Sequence, residues 1–310
     1  MRWTYDIKAD GNQTSFHGDP LFTDDLVLIG TDGDGIGHIY AFETSTGKVR
    51  WKYAFSPSAS GRAGVNTGLA RLGSRVYAVA LGDELVCLDL SSGALHWKFH
   101  SAFTAERFSW SNSPAAADGR VFFGGLDGAV YALDADSGTV LWKRDLGAPI
   151  ATSVTLEGED LYIGAGNGHL HRLIQSTGEM KTDFKVGDNL HGTLVFAGDA
   201  LLVFRNWMVR DSELIAVDRS LQKILWRAKP PENSSWTSAR PYVWDGAVLA
   251  GNDAGLLTAF RLADGSFDWA RKFSGIVRGI GFSDGVYYVG TLDGDLYAFR
   301  REKGKASAAP

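Results

Sequence analysis

The sequence contains a single cysteine, Cys87, among 310 residues. One cysteine excludes an intrachain disulfide, and it excludes a zinc site built from several cysteines. Proline is also scarce, with 8 residues. No apolar run approaches the roughly 18 residues that a membrane-spanning helix needs. We therefore expect a globular domain with no membrane insertion and no structural zinc cluster.

Positive charge is not in excess either, because the formal net charge is −5. Without a basic field, nucleic acid is not an expected partner. The first residues, MRWTYDIKADG, lack the apolar segment of a signal peptide. The chain as written therefore predicts a cytoplasmic protein. A periplasmic or extracellular location is the alternative if a signal peptide has been removed.

Glycine, by contrast, is abundant at 38 residues, and the chain repeats itself. The seven related segments are IYAFETSTGKVRW, VCLDLSSGALHW, VYALDADSGTVLW, LHRLIQSTGEMKT, IAVDRSLQKILW, TAFRLADGSFDW and LYAFRREKGK. The first six end at Trp51, Trp97, Trp142, Thr182, Trp226 and Trp269, spaced by 46, 45, 40, 44 and 43 residues. The seventh lacks its tryptophan, whereas Trp3 stands 48 residues before Trp51. A repeat split between the two chain ends predicts a closed ring.

Each repeat contains four short stretches of alternating β-branched and aromatic residues, separated by turns such as Asp118-Gly119 and Ser137-Gly138. Four strands in 40–48 residues are typical of a propeller blade. We predict an all-β, seven-bladed β-propeller of four-stranded antiparallel blades, with the ring closed by the N-terminal strand. Residues 1–304 are expected to form this single domain and 305–310 a disordered tail.

The segment VYALDADSGTVLW resembles the PQQ-like, or quinoprotein-type, propeller repeat. That repeat occurs in quinone-dependent alcohol dehydrogenases, in the Bam-complex outer-membrane assembly lipoprotein and in sensor domains of bacterial kinases. The resemblance implies the fold but no single activity. It implies for the quinone enzymes a vicinal disulfide, a calcium ion held by Glu, Asn and Asp, and a catalytic Asp. Cys87 alone cannot form that disulfide, so we expect no catalytic residues, no metal and no cofactor.

The repeat assigns structural roles to its most regular positions. The strand-four tryptophans are expected to pack the blades: Trp3, Trp51, Trp97, Trp142, Trp226 and Trp269. Cys87 occupies a position that is alanine in most other copies, so it is expected to be a small packing residue. Asp89, Asp134 and Asp218 share one position, where they are expected to bond the backbone of the next hairpin.

One face of the predicted propeller departs from the repeat. Loops of unequal length precede the blades on this face, and the loops between strands two and three are extended at Thr31–His38 and Arg205–Glu213. The conspicuous aromatic and polar residues of these loops are predicted to form a binding face: Trp110, Trp207, Trp236, Arg62, Arg107, Arg210, Arg278, His17, His191, Asn66 and Asn189. Exposed Trp and Arg residues on variable loops are typical of binding surfaces.

The stretch TDGDGIGHIYAFE superficially matches a calcium loop. The repeat places Ile39 at the start of a strand, so Glu43 lies too far along it to close a loop over Asp32 and Asp34. A cation on Asp32 and Asp34, with the carbonyls of Ile36 or His38, stays open as a minor alternative.

These patterns favour a non-catalytic binding or assembly scaffold, monomeric on its own, that presents the loop face to a protein, peptide or glycan. One alternative is a propeller enzyme, namely a quinone-dependent dehydrogenase, a lyase or a hydrolase. The other is a ligand-sensing module of a signalling system.

Overall fold

The computed structural model describes residues 3–7, 15–103, 112–206, 211–231, 234–237, 240–283, 285–292 and 295–300. These ranges contain 28 β-strands and no α-helix. Within the same ranges, no helix has the length and apolar character needed to cross a bilayer. The strands form seven antiparallel sheets in chain order, which are the blades of a seven-bladed β-propeller. The predicted fold class is thereby confirmed.

The chain divides into two compact units, residues 1–161 with 174–179, and residues 162–173 with 180–310. Three sheets lie within the first unit. The first contains β1 (Ser15–Phe22), β2 (Leu26–Asp34), β3 (Gly37–Glu43) and β4 (Val49–Phe55), and β5 (Arg62–Gly64) also pairs with β2. The second contains β6 (Ala70–Leu72), β7 (Arg75–Ala80), β8 (Glu84–Asp89) and β9 (Leu95–His100). The third contains β10 (Ala115–Ala117), β11 (Arg120–Gly124), β12 (Ala129–Asp134) and β13 (Val140–Asp145).

The remaining sheets follow the same order. The fourth has residues in both units and contains β14 (Thr155–Glu157), β15 (Asp160–Gly164), β16 (His169–Ile174) and β17 (Met180–Lys185). The fifth contains β18 (Leu190–Ala197), β19 (Ala200–Arg205), β20 (Glu213–Asp218) and β21 (Ile224–Ala228). The sixth contains β22 (Tyr242–Trp244), β23 (Ala247–Gly251), β24 (Leu256–Arg261) and β25 (Phe267–Lys272). The seventh contains β26 (Val277–Ser283), β27 (Val286–Thr291) and β28 (Leu296–Phe299).

The turn chemistry follows from the residues. Asp118 and Gly119 have φ of 48° and 71°, the left-handed pair that a two-residue hairpin turn requires. Asp89 accepts hydrogen bonds from the backbone N–H groups of Ser91 and Ser92 at 3.1 and 2.9 Å. Asp134 does the same for Ser137 at 2.8 Å. The repeated Asp therefore fixes the turn between strands three and four, as the sequence predicted.

A tryptophan and a glycine connect most successive blades. Trp51 of the first blade lies over Gly93 of the second, so close that a Cβ on Gly93 would stand 2.5 Å from the indole. Its Nε1 donates to the Leu90 carbonyl at 3.0 Å. We call this contact the Trp–Gly lock. It recurs with the same hydrogen bond at Trp3–Gly47, Trp97–Gly138, Trp142–Gly178 and Trp226–Gly265.

The junction between the fourth and fifth blades departs from this rule. Thr182 occupies the tryptophan position and pairs with Arg172 across the strands. The glycine position holds Gln222, and the residue before it, Leu221, has a left-handed φ of 57° and is 1% exposed. Leu221 packs in a cluster with Tyr162 and Ile224. The Tyr162 hydroxyl donates to the Arg219 carbonyl at 3.3 Å, at the repeat position whose carbonyl accepts the indole N–H elsewhere.

The remaining predictions concern Cys87, the closure of the ring, and the end of the domain. Cys87 is fully buried. The seventh sheet has three strands, and Trp3–Asp6 are not part of a strand, so closure of the ring by an N-terminal strand stays a prediction. The single-domain boundary at 304 also stays a prediction, and the tail at 305–310 lies outside the described residues.

Candidate binding face

The extension of the first blade is a lengthened strand rather than an open loop. β2 continues to Asp34 and pairs there with β5, which comes from the connection to the second blade. Arg62 on β5 contacts Asp32 with Nη2 and Oδ2 2.7 Å apart, and approaches Asp34 at 3.9 Å. The Asp32 side chain is 2% exposed, so its charge needs a partner. Arg62 supplies that charge, which leaves the pair poorly suited to a metal cation.

The connection from the second to the third blade is held at both ends by buried polar side chains. Asp83, 1% exposed in the turn between β7 and β8, accepts hydrogen bonds from the Ser101 hydroxyl at 2.6 Å and the Leu126 N–H at 2.5 Å. Burial raises the Asp83 pKa to about 6 against the lowering effect of those two bonds, and the Asp127 charge raises it further. At the other end Asn112 donates to the carbonyls of Gly124 and Ile150.

In the second unit, three loops of the predicted face meet at Asn189. This residue is exposed and has a φ of 50°. Its N–H donates to the Gly166 carbonyl at 3.0 Å, and its carbonyl accepts from the Asn206 N–H at 3.0 Å. The two side-chain amides are also hydrogen-bonded at 3.2 Å. Asn189 therefore joins the β15–β16, β17–β18 and β19–β20 connections.

A network of ion pairs joins the two strand ends that flank the extended connection of the fifth blade. Glu213, whose side chain is 9% exposed, lies between Arg205 and Arg227, with both contacts at 2.7 Å. Arg205 also contacts Asp211 at 2.7 Å, and Arg227 donates to the Val186 carbonyl. A buried carboxylate with two guanidinium partners fixes the geometry of both strand ends. The network thus fixes the two strand ends from which the connection leaves and to which it returns.

Two basic residues of the predicted binding face, His191 and Arg278, come from different blades and lie close enough to interact. His191 is on β18 and Arg278 on β26. Burial lowers the His191 pKa to about 4, and the Arg278 charge lowers it further. His191 is therefore neutral at pH 7, which leaves Arg278 as the cation of the pair.

The prediction that Trp236 is an exposed anchor of the binding face is wrong. Trp236 is 1% exposed, although we expected an exposed side chain. Its ring packs against Phe204 and Phe260, and Nε1 donates to the Ala228 carbonyl at 3.3 Å. The long connection before the sixth blade brings its own apolar residue, and burial of so large a ring outweighs exposure to a partner.

The other predicted face residues remain predictions. His17 is in β1, where it pairs with Gly30, and Asn66 is partly buried between β5 and β6. The remaining four lie outside the described residues: Trp110, Arg107, Trp207 and Arg210. Sequence reasoning missed Asp83, Asn112 and Glu213, since an acid or amide beside a turn looks the same whether it is solvated or buried.

The quinone site that the resemblance implies does not fit the described residues. Cys87 is buried on β8 and has no second cysteine to pair with. In the part of the chain that the structure describes, no three His, Cys, Asp or Glu side chains converge in a metal-holding arrangement. The features that stand out on the loop face are the anchored connections.

Comparison with known proteins places these features in a family. A family model described as outer membrane protein assembly factor BamB matches residues 37–106 and 84–308. The chain is 22% identical over 316 residues to the outer membrane protein assembly factor BamB of Yersinia pestis, covering 96% of this chain and 77% of that protein. The solved BamB structure from Moraxella catarrhalis aligns with a TM-score of 0.72 at 20% identity, over 94% of this chain and 84% of that one, which shows a shared fold.

An enzyme is also among the relatives. The chain is 27% identical over 154 residues to quinohemoprotein alcohol dehydrogenase ADH IIB of Pseudomonas putida. That match covers 46% of this chain but only 21% of the enzyme, about a fifth of its length. The family match, by contrast, extends from residue 37 to residue 308. The chain therefore belongs to the PQQ-like propeller-repeat family described as outer membrane protein assembly factor BamB.

Proposed function

We propose that this protein is a non-catalytic assembly scaffold that takes a protein partner on its loop face. The observation that carries the proposal is the anchoring of the loop ends there. Buried Glu213 holds Arg205 and Arg227 at the strand ends that flank the extended fifth-blade connection. A surface held in one conformation loses less conformational entropy on binding, which favours recognition of a partner.

The same proposal extends to where the protein acts. Relatives named outer membrane protein assembly factors favour the periplasmic alternative over the cytoplasmic one. Their name also supports a protein as partner. The exposed Asn189, where three loops meet, is the described position best suited to report contact with it.

Site-specific crosslinking tests this function. A photo-crosslinking residue at Asn189 should yield a defined adduct in cells of the native host. The matched control is Asp264, which is exposed in the turn between β24 and β25, on the opposite face of a blade in the same unit. An adduct from position 189 and none from 264 is the expected result. Equal adducts at both positions, or none at 189, would contradict the proposed face.

The dehydrogenase relative favours a second candidate, a quinone-dependent enzyme. Reduction of an artificial electron acceptor after addition of pyrroloquinoline quinone, calcium and a primary alcohol would support it. We expect no reduction above that of the boiled protein.

A further inference from the structure

A cleft in the first unit lies beside the anchored connections of the first and second blades. It has a volume of about 390 Å³ and lies between the Ser56–Ser60 segment, which follows β4, and the strands β8 and β9. Pockets of roughly 300–1,000 Å³ are the size that small ligands occupy. We call it the serine cleft, after Ser56, Ser58 and Ser60 on one of its walls.

On the opposite wall, the Glu84 carboxylate has its partners beside it. Glu84 and His100 are cross-strand partners on β8 and β9, with Oε2 and Nε2 2.7 Å apart. Lys98, two residues earlier on β9, brings Nζ to 3.3 Å from the same carboxylate. Because the acid has the Lys98 ammonium and the His100 imidazole beside it, the wall presents an acceptor between two donors without requiring a charged ligand.

The serine wall has a fixed shape. The Ser58 hydroxyl donates to the Arg62 carbonyl at 2.8 Å and lies 2.8 Å from the Ser60 hydroxyl. The segment closes onto Gly82, where a Cβ would stand 2.9 Å from the Ser58 Cβ. Gly82 has a φ of 90°, a conformation that glycine adopts without strain. The hydroxyls are thus held in place opposite the Glu84 wall.

We propose that the serine cleft binds a neutral saccharide. Each sugar hydroxyl is both donor and acceptor, and so matches a carboxylate flanked by an ammonium and an imidazole on one wall and serine hydroxyls on the other. Phe103, which also lines the cleft, supplies an aromatic ring for the C–H face of a sugar. Few large aliphatic side chains line the cleft, which disfavours an apolar ligand. This binding is independent of the proposed scaffold function.

Isothermal titration with maltose, cellobiose and N,N′-diacetylchitobiose tests the site. At least one disaccharide should bind the wild-type protein. Glu84→Gln should weaken that binding by roughly tenfold or more, because a charged acceptor is lost. Lys98→Ala removes an exposed side chain, 54% accessible, and provides a second variant that should fold normally.

The matched control is Lys52→Ala. Lys52 follows Trp51 as Lys98 follows Trp97, but it is not among the residues of the cleft. It should bind the disaccharide as the wild type does, and circular dichroism should show native strand content in all three variants. Failure of all three sugars to bind the wild type would overturn the proposal, as would unchanged affinity in both Glu84→Gln and Lys98→Ala.

Discussion

Two neighbouring blade junctions solve the same packing problem with different side chains. Between the fifth and sixth blades, Trp226 lies over Gly265 and donates to the Leu262 carbonyl at 2.7 Å. Between the fourth and fifth blades, Thr182 replaces the tryptophan and Gln222 replaces the glycine. There the Tyr162 hydroxyl donates to the Arg219 carbonyl, which is at the same repeat position as the Leu262 carbonyl.

The difference shows that the turn between strands three and four changes where the tryptophan is missing. Gly265 has a φ of 71°, would clash with the indole if it carried a Cβ, and donates its N–H to the Arg261 carbonyl four residues before it. In the fifth blade the left-handed residue is Leu221, with a φ of 57°, and its N–H donates to the Asp218 carbonyl three residues before it. A leucine adopts this conformation at a cost, which burial of its side chain offsets. The carbonyl that accepts the indole N–H elsewhere keeps a donor, while the turn beside it is rebuilt around a buried leucine.

The largest expected effect comes from truncation of the tryptophan. Trp226→Ala should lower the free energy of unfolding by about 3–5 kcal/mol, the usual range for a buried aromatic residue. The Trp226 side chain is 7% exposed and leaves a cavity that Gly265 cannot fill. Thr182→Ala, at the same repeat position, should cost less than about 1 kcal/mol. Urea unfolding followed by circular dichroism measures both.

Equal losses in the two variants would break the comparison. They would mean that Thr182 contributes as much to its junction as the indole does to the next. A larger loss at Thr182 would assign the packing of that junction to the outer strand rather than to Leu221.

Exchange of the two junction types should produce a smaller but more specific effect. Thr182→Trp should destabilise the protein by crowding Gln222, which stands at the glycine position, whereas Gln222→Gly alone should cost less than about 1 kcal/mol because Gln222 is exposed. The double variant places both residues of a Trp–Gly lock at this junction and should lose less than the sum of the two. We expect a coupling energy of about 1–3 kcal/mol from the double-mutant cycle. Additive losses would show that the fourth and fifth blades cannot accommodate the lock.

Much of this organisation was predictable from the sequence because the repeat is local. The strand-four tryptophans, the Ser-Gly turns and the repeated Asp89, Asp134 and Asp218 all recur at a fixed period. Periodicity reports strands and turns, and seven copies report seven blades. Thr182 was visible as the exception among the tryptophans.

The loop face was less predictable, because its contacts are long-range and its residues are unique. Trp236 sits on a long connection, and composition does not reveal whether a ring points inward. Asp32 was recognised as an acid, but its partner Arg62 is 30 residues away on a strand that the repeat lacks. Asp83 resembles the acids of other turns, while its hydrogen bonds reach the next blade.

The smallest expected effect is the pH dependence of stability that comes from Asp83. Asp83 links the second and third blades by polar contacts, whereas the Trp–Gly locks link blades mainly by packing. Asp83 has a pKa of about 6 in the folded protein, above the ordinary 3.8, because it is buried. A raised pKa means that the folded state binds the proton more tightly. The contribution of protonated Asp83 to the free energy of unfolding is therefore complete below about pH 3.8 and is lost as the pH rises through 6.

Lowering the pH from 7 to 5 should therefore raise the free energy of unfolding by about 1 kcal/mol. Asp83→Asn should remove that increase, whereas Trp226→Ala should leave it intact. A wild-type slope that survives in Asp83→Asn would assign the pH dependence to another group.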